Sequence, residues 1–129
     1  SVDNDDQMMK VEKIHKANIT TVGMFILAQP TDTHESCLST IEYACMLNLN
    51  IAQFSIFTPY PGTPFYTRGD VEKSFKKYEE CNQYNLVYEH PTISKKDARK
   101  LLEKAYFSFI KHKIKTDLFK LSPINLFVR

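Results

Sequence analysis

Two short apolar runs, each stopped by a proline, limit what this chain can fold into. Thr20–Leu27 (TTVGMFIL) is β-branched and almost wholly apolar, and Pro30 follows it. Ile51–Phe57 (IAQFSIF) is stopped by Pro59. Runs of this length and content read as strands, and a strand apolar on both faces belongs mostly to a parallel sheet. Between them, TDTHESCLSTIEYACMLNLN has helical spacing, with Cys37, Leu38, Ile41, Ala44, Cys45 and Leu47 as its inner stripe. Its start is marked by Asp32 with Glu35 three residues on, or by Thr33 as the cap. Strand, helix and strand so close together form a βαβ unit, whose crossover is expected to be right-handed. A further helix over about Asp5–Ala17, with Met8, Val11, Ile14 and His15 at helical spacing, makes the order αβαβ and the class α/β.

The second run also divides by face. Phe54 and Ile56 share one side; Gln53, Ser55 and Phe57 share the other. A polar inward set suits a barrel lumen or ligand pocket, and an edge strand with a wet face has the same pattern. At its end comes TPYPGTPFY, which holds three of the six prolines and one of the three glycines of the chain. Each proline fixes φ and removes a donor, and Gly62 after Pro61 suits the positive-φ position of a type II turn. The loop is therefore stiff. Tyr60, Phe65 and Tyr66 give it flat apolar surface, suited either to a planar ligand such as adenine or to plain structural packing.

Beyond residue 69 the text becomes helical and basic. DVEKSFKKYEECNQYN reads as a polar helix anchored by Phe75 and Tyr78, and LVYEHP as an extended segment. SKKDARKLLEKAYFSFIKHKIK reads as a helix capped by Ser94, with Ala98, Leu101, Leu102, Ala105, Phe109 and Ile110 on one face. The apolar groups from Leu118 to Phe127 predict that the tail docks on something. Ser1–Pro64 holds 3 Lys against 7 Asp and Glu, a net −4, and Phe65–Arg129 holds 14 Lys and Arg against 8 acids, a net +6. Such a basic half fits a lysine-rich solvated helix face, or a nucleic-acid or membrane surface.

Several chemistries are disfavoured. The 129 residues suffice for one domain, and no apolar run approaches membrane-spanning length. The four histidines are scattered away from any Cys or carboxylate at zinc spacing. No phosphate-binding glycine loop or nucleophile elbow appears. Three cysteines, Cys37, Cys45 and Cys81, do not make a disulfide framework, and the expected compartment is the reducing cytoplasm.

In combination, GMFILAQPTDTHES and FTPYPGTPFY resemble the C-terminal half of a radical S-adenosylmethionine enzyme, closest to the group that carries a cobalamin-binding domain. HPTISKKDARKLLEKAYFSF and the opening SVDNDDQMMKVEKIHK are similar to later and earlier stretches of that group, so the resemblance spans about Ser1–Phe109. It implies a partial parallel (β/α) barrel of six strands. Residues 1–69 would be the last part of the barrel core, with its fifth and sixth strands, and residues 70–129 a helical extension packed on it. It also implies that adenine lies on backbone and apolar groups at two strand ends, here Ile26, Ala28 and Gln29, and Thr58, Pro59 and Tyr60. Ala28 departs from the group's usual Gly, and its methyl narrows the space there. The cysteines are 8 and 36 positions apart and do not form the C-x-x-x-C-x-x-C loop that holds a 4Fe-4S cluster.

The expectation is thus a fragment of a radical S-adenosylmethionine enzyme acting on an unreactive carbon by radical or methyl-transfer chemistry. Its parent would use S-adenosylmethionine and a 4Fe-4S cluster, with cobalamin as a further candidate cofactor, and the isolated chain would be inactive and hold none of them. Its partners would be the missing N-terminal half of the barrel, in cis or as a separate chain, and a small-molecule substrate, with nucleic acid not expected. The alternative is a non-catalytic remnant or interaction module that uses the basic helix and apolar tail.

Overall fold

The computed structural model describes residues 4–66 and 81–120. Within them the order is α1 (Asn4–Lys16), β1 (Val22–Leu27), α2 (His34–Met46), β2 (Ile51–Ile56) and α3 (Lys95–Lys120). The strands pair in parallel and in register, Val22 beside Ile51 through Leu27 beside Ile56. The amide of Phe57 continues the ladder by donating to the Leu27 carbonyl at 2.8 Å. The chain is therefore α/β, as the two apolar runs require.

One face of this sheet forms the core. Gly23, Phe25 and Leu27 from β1 and Ala52, Phe54 and Ile56 from β2 lie beneath α2 and α3. Phe54 is fully buried, stacks on Phe25 at 5.3 Å and meets Tyr106 and Phe109 of α3 edge-on. Burying such a ring contributes about 1.5–3 kcal/mol. From α2 come Cys37, Ile41 and Ala44, and from α3 Ala98, Leu101, Leu102, Ala105 and Phe109. Leu38 and Cys45, expected on the inner stripe of α2, are half-buried. Ile110, expected on the buried face of α3, is 54% exposed, because it lies about 100° round the helix from Phe109, which still packs on Phe54.

The opposite face differs from expectation. Val22, Met24 and Ile26 read as buried on both sides, yet all three are exposed, Met24 to 75%. Ile51 and Gln53 beside them are exposed and Ser55 is half-buried. No described helix covers this side. Parallel sheets are normally covered on both faces.

The two sheet edges also differ. In a parallel ladder alternate residues point their N–H and C=O to opposite sides. On the outer edge of β2 the Tyr106 hydroxyl accepts from the Phe54 amide at 3.2 Å and donates to the Phe54 carbonyl at 3.0 Å. Beyond it the Ile56 amide donates to the Gln83 carbonyl at 2.7 Å. β2 is thus blocked against another strand. β1 pairs with β2 alone among the described residues, and no other described strand lies on its outer edge.

Local signals account for the helix ends. Thr33, not Asp32, caps α2: its hydroxyl accepts from the Ser36 amide, and the Ser36 hydroxyl accepts from the Thr33 amide. Such a cap contributes about 1 kcal/mol. Ser94 caps α3, accepting from the Asp97 amide at 3.1 Å and donating to the Asp97 carboxylate at 2.6 Å. α1 is tied down at two points, by Tyr43 donating to Gln7 and by His15, whose Nε2 lies 2.9 Å from Thr21 Oγ1 and 3.0 Å from Asn50 Oδ1. Of the helix expected after residue 69, residues 70–80 lie outside the described residues, and Asn82–Asn85 are bends. The tail from residue 121 lies outside them as well. No helix among the described residues is long and apolar enough to cross a membrane.

Candidate functional site at the strand ends

Because β1 and β2 are parallel and in register, their carboxyl ends lie side by side, and the loops that follow them are neighbours. In open α/β sheets this is where ligands bind.

The loop after β2 is held by its own turn. The Thr63 amide donates to the Tyr60 carbonyl at 3.1 Å across Pro61 and Gly62, and Gly62 has φ +84°. This is the type II turn expected from the Pro-Gly pair, and its left-handed position is why glycine stands there. The Thr63 hydroxyl donates to the same carbonyl at 2.7 Å. Beside the turn opens a cleft of about 380 Å³ lined by Phe57, Thr58, Thr63, Pro64 and Phe65. Phe57 and Phe65 meet edge-on at 5.3 Å and form its apolar wall.

The loop after β1 is more tightly bonded. Ala28 has φ +57° and is fully buried. A side chain in that region costs about 1–2 kcal/mol, so glycine would be the relaxed residue. Its amide donates to Cys37 Sγ at 3.4 Å, and its carbonyl accepts from the Tyr88 hydroxyl at 2.8 Å. The Gln29 amide donates to the Asp32 carboxylate at 2.8 Å, and the Gln29 carbonyl accepts from His90 Nε2 at 2.7 Å. His90 Nδ1 accepts from the Thr92 and Ile93 amides at 3.1 and 3.0 Å, which fixes the proton on Nε2. Burial pushes the Tyr88 phenol well above its usual range, with Asp32 and Cys37 adding to the effect, so the hydroxyl stays a donor. Burial likewise raises the Cys37 thiol and keeps it protonated.

The six residues implied by the resemblance divide into three at each neighbouring strand end. Ile26 lies on the uncovered sheet face and Gln29 is exposed. Ala28 and Pro59 are fully buried, and the Ala28 amide and carbonyl are already engaged by Cys37 and Tyr88. Thr58 lines the cleft, with its hydroxyl donating to the Ile56 carbonyl at 3.2 Å. Tyr60 is exposed, and its hydroxyl accepts from the Gln83 amide group at 3.2 Å. Of these six, Thr58 alone lines the cleft. Sequence reasoning missed Thr63 and Pro64 as lining, and missed Tyr88, His90 and Thr92 altogether. Their signal was present: three side-chain donors at alternate positions in YEHPT. Among the described residues no group of three His, Cys, Asp or Glu is placed to hold a metal ion.

No family model matches the chain. Over 104 residues, 77% of its length, the chain is 32% identical to an uncharacterized methyltransferase of Pyrococcus horikoshii, of which it covers 22%. Over 114 residues, 88% of its length, it is 27% identical to the bacteriochlorophyllide d C-12(1)-methyltransferase of Chlorobaculum tepidum, of which it covers 23%. The chain therefore spans less than a quarter of the curated relatives it matches, and most of its own length is similar to one part of a methyltransferase.

Proposed function

We propose that this chain supplies the last two strands of the S-adenosylmethionine-binding barrel of a radical methyltransferase, and that the adenosyl group lies against the ends of β1 and β2. The observation that carries the reading is the uncovered sheet face. A parallel pair is packed by helices on one side, while Val22, Met24, Ile26, Ile51, Gln53 and Ser55 meet solvent on the other. That is the surface a (β/α) barrel turns toward its lumen, and a free-standing α/β domain would cover it.

The blocked outer edge of β2 supports the same reading, because further strands could add only beside β1. The similarity to methyltransferases gives the general chemistry. S-adenosylmethionine, when bound, supplies a methyl group or, on reductive cleavage, a 5′-deoxyadenosyl radical. The described residues fit its adenosyl portion through the stiff turn, the Thr58 and Thr63 hydroxyls and the Phe57–Phe65 wall. They do not fit a 4Fe-4S cluster. Cys37 is buried on α2 beneath the Ala28 amide, and Cys45 is half-buried on the same helix. In this reading the cluster ligands, and any cobalamin site, belong to polypeptide outside this chain. Its own residues bind and orient the cofactor and wall the lumen against water.

The test is a chimera in which this chain replaces the matching segment of the Pyrococcus horikoshii relative, with S-adenosylmethionine binding measured by equilibrium dialysis against the unaltered relative. Retained binding that weakens on Thr63→Val supports the assignment. A parent that binds none, or a folded chimera that has lost binding, overturns it.

A further inference from the structure

The stretch before α3 carries polar groups that no feature of the cleft requires. Tyr88, His90 and Thr92 stand at alternate positions along it, with bends at Tyr88 and at Pro91 and Thr92. Each donates to a carbonyl of the loop after β1: Tyr88 to Ala28 at 2.8 Å, His90 to Gln29 at 2.7 Å and Thr92 to Asp32 at 3.1 Å. The stretch is thus a strap laid across that loop. Tyr88 does more than its neighbours. Its ring meets Phe57 edge-on at 6.0 Å and Phe65 at 5.8 Å, and both of those rings line the cleft after β2.

We propose that Tyr88 is a positioning residue for the strand-end site, its hydroxyl fixing the loop after β1 while its ring fixes the cleft wall after β2. The inference rests on the reading of the strand ends as an adenosyl site. Both ends must hold their shape together for one planar ligand to lie across them, and Tyr88 touches both. The loop Ala28–Asp32 is prearranged at its backbone: its amides and carbonyls are engaged by Cys37, Asp32, Tyr88, His90 and Thr92. At this end the ligand therefore meets the Ile26 and Gln29 side chains more than backbone donors. Preorganisation of this kind raises affinity by reducing what must be ordered on binding.

Two variants separate the two roles. Tyr88→Phe keeps the ring and removes the hydroxyl; Tyr88→Leu removes both. In this chain, amide hydrogen exchange at Gln29 and Asp32 should quicken about tenfold in Tyr88→Phe, the loss of one buried hydrogen bond, while Phe57, Thr63 and Tyr66 keep their rates. Tyr88→Leu should quicken Thr63 and Tyr66 as well. In the chimera, Tyr88→Phe should weaken S-adenosylmethionine about tenfold in the folded protein. A merely structural tyrosine would speed every sheet amide in proportion and leave the affinity of the folded fraction unchanged; either result overturns the proposal. A parent relative that binds no S-adenosylmethionine refutes the adenosyl reading instead, and the exchange rates still decide whether Tyr88 holds both ends.

Discussion

Tyr106→Phe is the sharpest test of the closed sheet edge. The hydroxyl makes two bonds to one residue, donating to the Phe54 carbonyl and accepting from the Phe54 amide. Phe54 has no exposed surface, so water reaches those groups poorly once the hydroxyl is gone. A neutral hydrogen bond nets about 1 kcal/mol, and a stranded buried partner costs about 1–3 kcal/mol. Two bonds, at an edge that half-buried Tyr106 leaves partly accessible, give an expected loss of about 2 kcal/mol. With an unfolding entropy of about 2.1 cal/mol/K per residue over 129 residues, that lowers Tm by about 7 °C. Urea titration followed by circular dichroism should show a lower midpoint at unchanged slope. Tyr43→Phe, which removes the bond to Gln7 on a half-buried surface, is the control and should cost about 0.5 kcal/mol or less. A reopened edge should also associate with rising concentration, which sedimentation detects. A loss below about 0.5 kcal/mol in Tyr106→Phe would falsify the reasoning, because the edge would then be satisfied by something other than this hydroxyl.

Other outcomes follow from the same geometry. Met24→Lys with Ile51→Lys should leave the unfolding free energy from urea titration within about 0.5 kcal/mol, since both side chains already meet water; unfolding would mean that their face is covered. Gly23→Ala should cost about 1–3 kcal/mol by calorimetry, because a Cβ there would lie 2.3 Å from Leu49 Cδ1 and 2.8 Å from Phe25 Cε2. Gly62→Ala meets nothing within 4 Å, so any loss, about 1 kcal/mol, comes from its positive φ alone; a neutral result would mean that the turn relaxes. The Ser94 hydroxyl, ahead of the nearby lysines, holds the Asp97 carboxyl below its ordinary value. A depressed acid stabilises the fold above its unfolded pKa and loses that contribution as pH falls through the folded one. Ser94→Ala should therefore move the Asp97 titration, followed by carboxyl NMR, up toward the ordinary range; an unmoved midpoint would assign the effect to the lysines.

Local chemistry made part of this protein legible from its residues. The apolar runs ended by Pro30 and Pro59, the stripe Cys37–Ile41–Ala44 and the Ser94 cap each act within a few neighbours, so period and composition suffice to identify them. The Pro61-Gly62 turn is local too, since one residue must take positive φ and only glycine takes it freely. Ala28, in the place where the resemblance expects glycine, reads from the sequence only as a methyl that narrows the space; its left-handed φ of +57° is not legible there.

Tertiary structure decided the rest, because it concerns groups far apart in the chain. That Met24 and Ile26 lie bare cannot be read from their apolarity, since a strand records what its faces suit and not what covers them. That Tyr106 closes the edge of β2 depends on a helix returning 52 residues later. That Tyr88 joins two strand ends depends on a hydrogen bond across 60 residues. Sequence spacing governs side chains on one element; which carbonyl a distant hydroxyl meets is settled only when the elements pack.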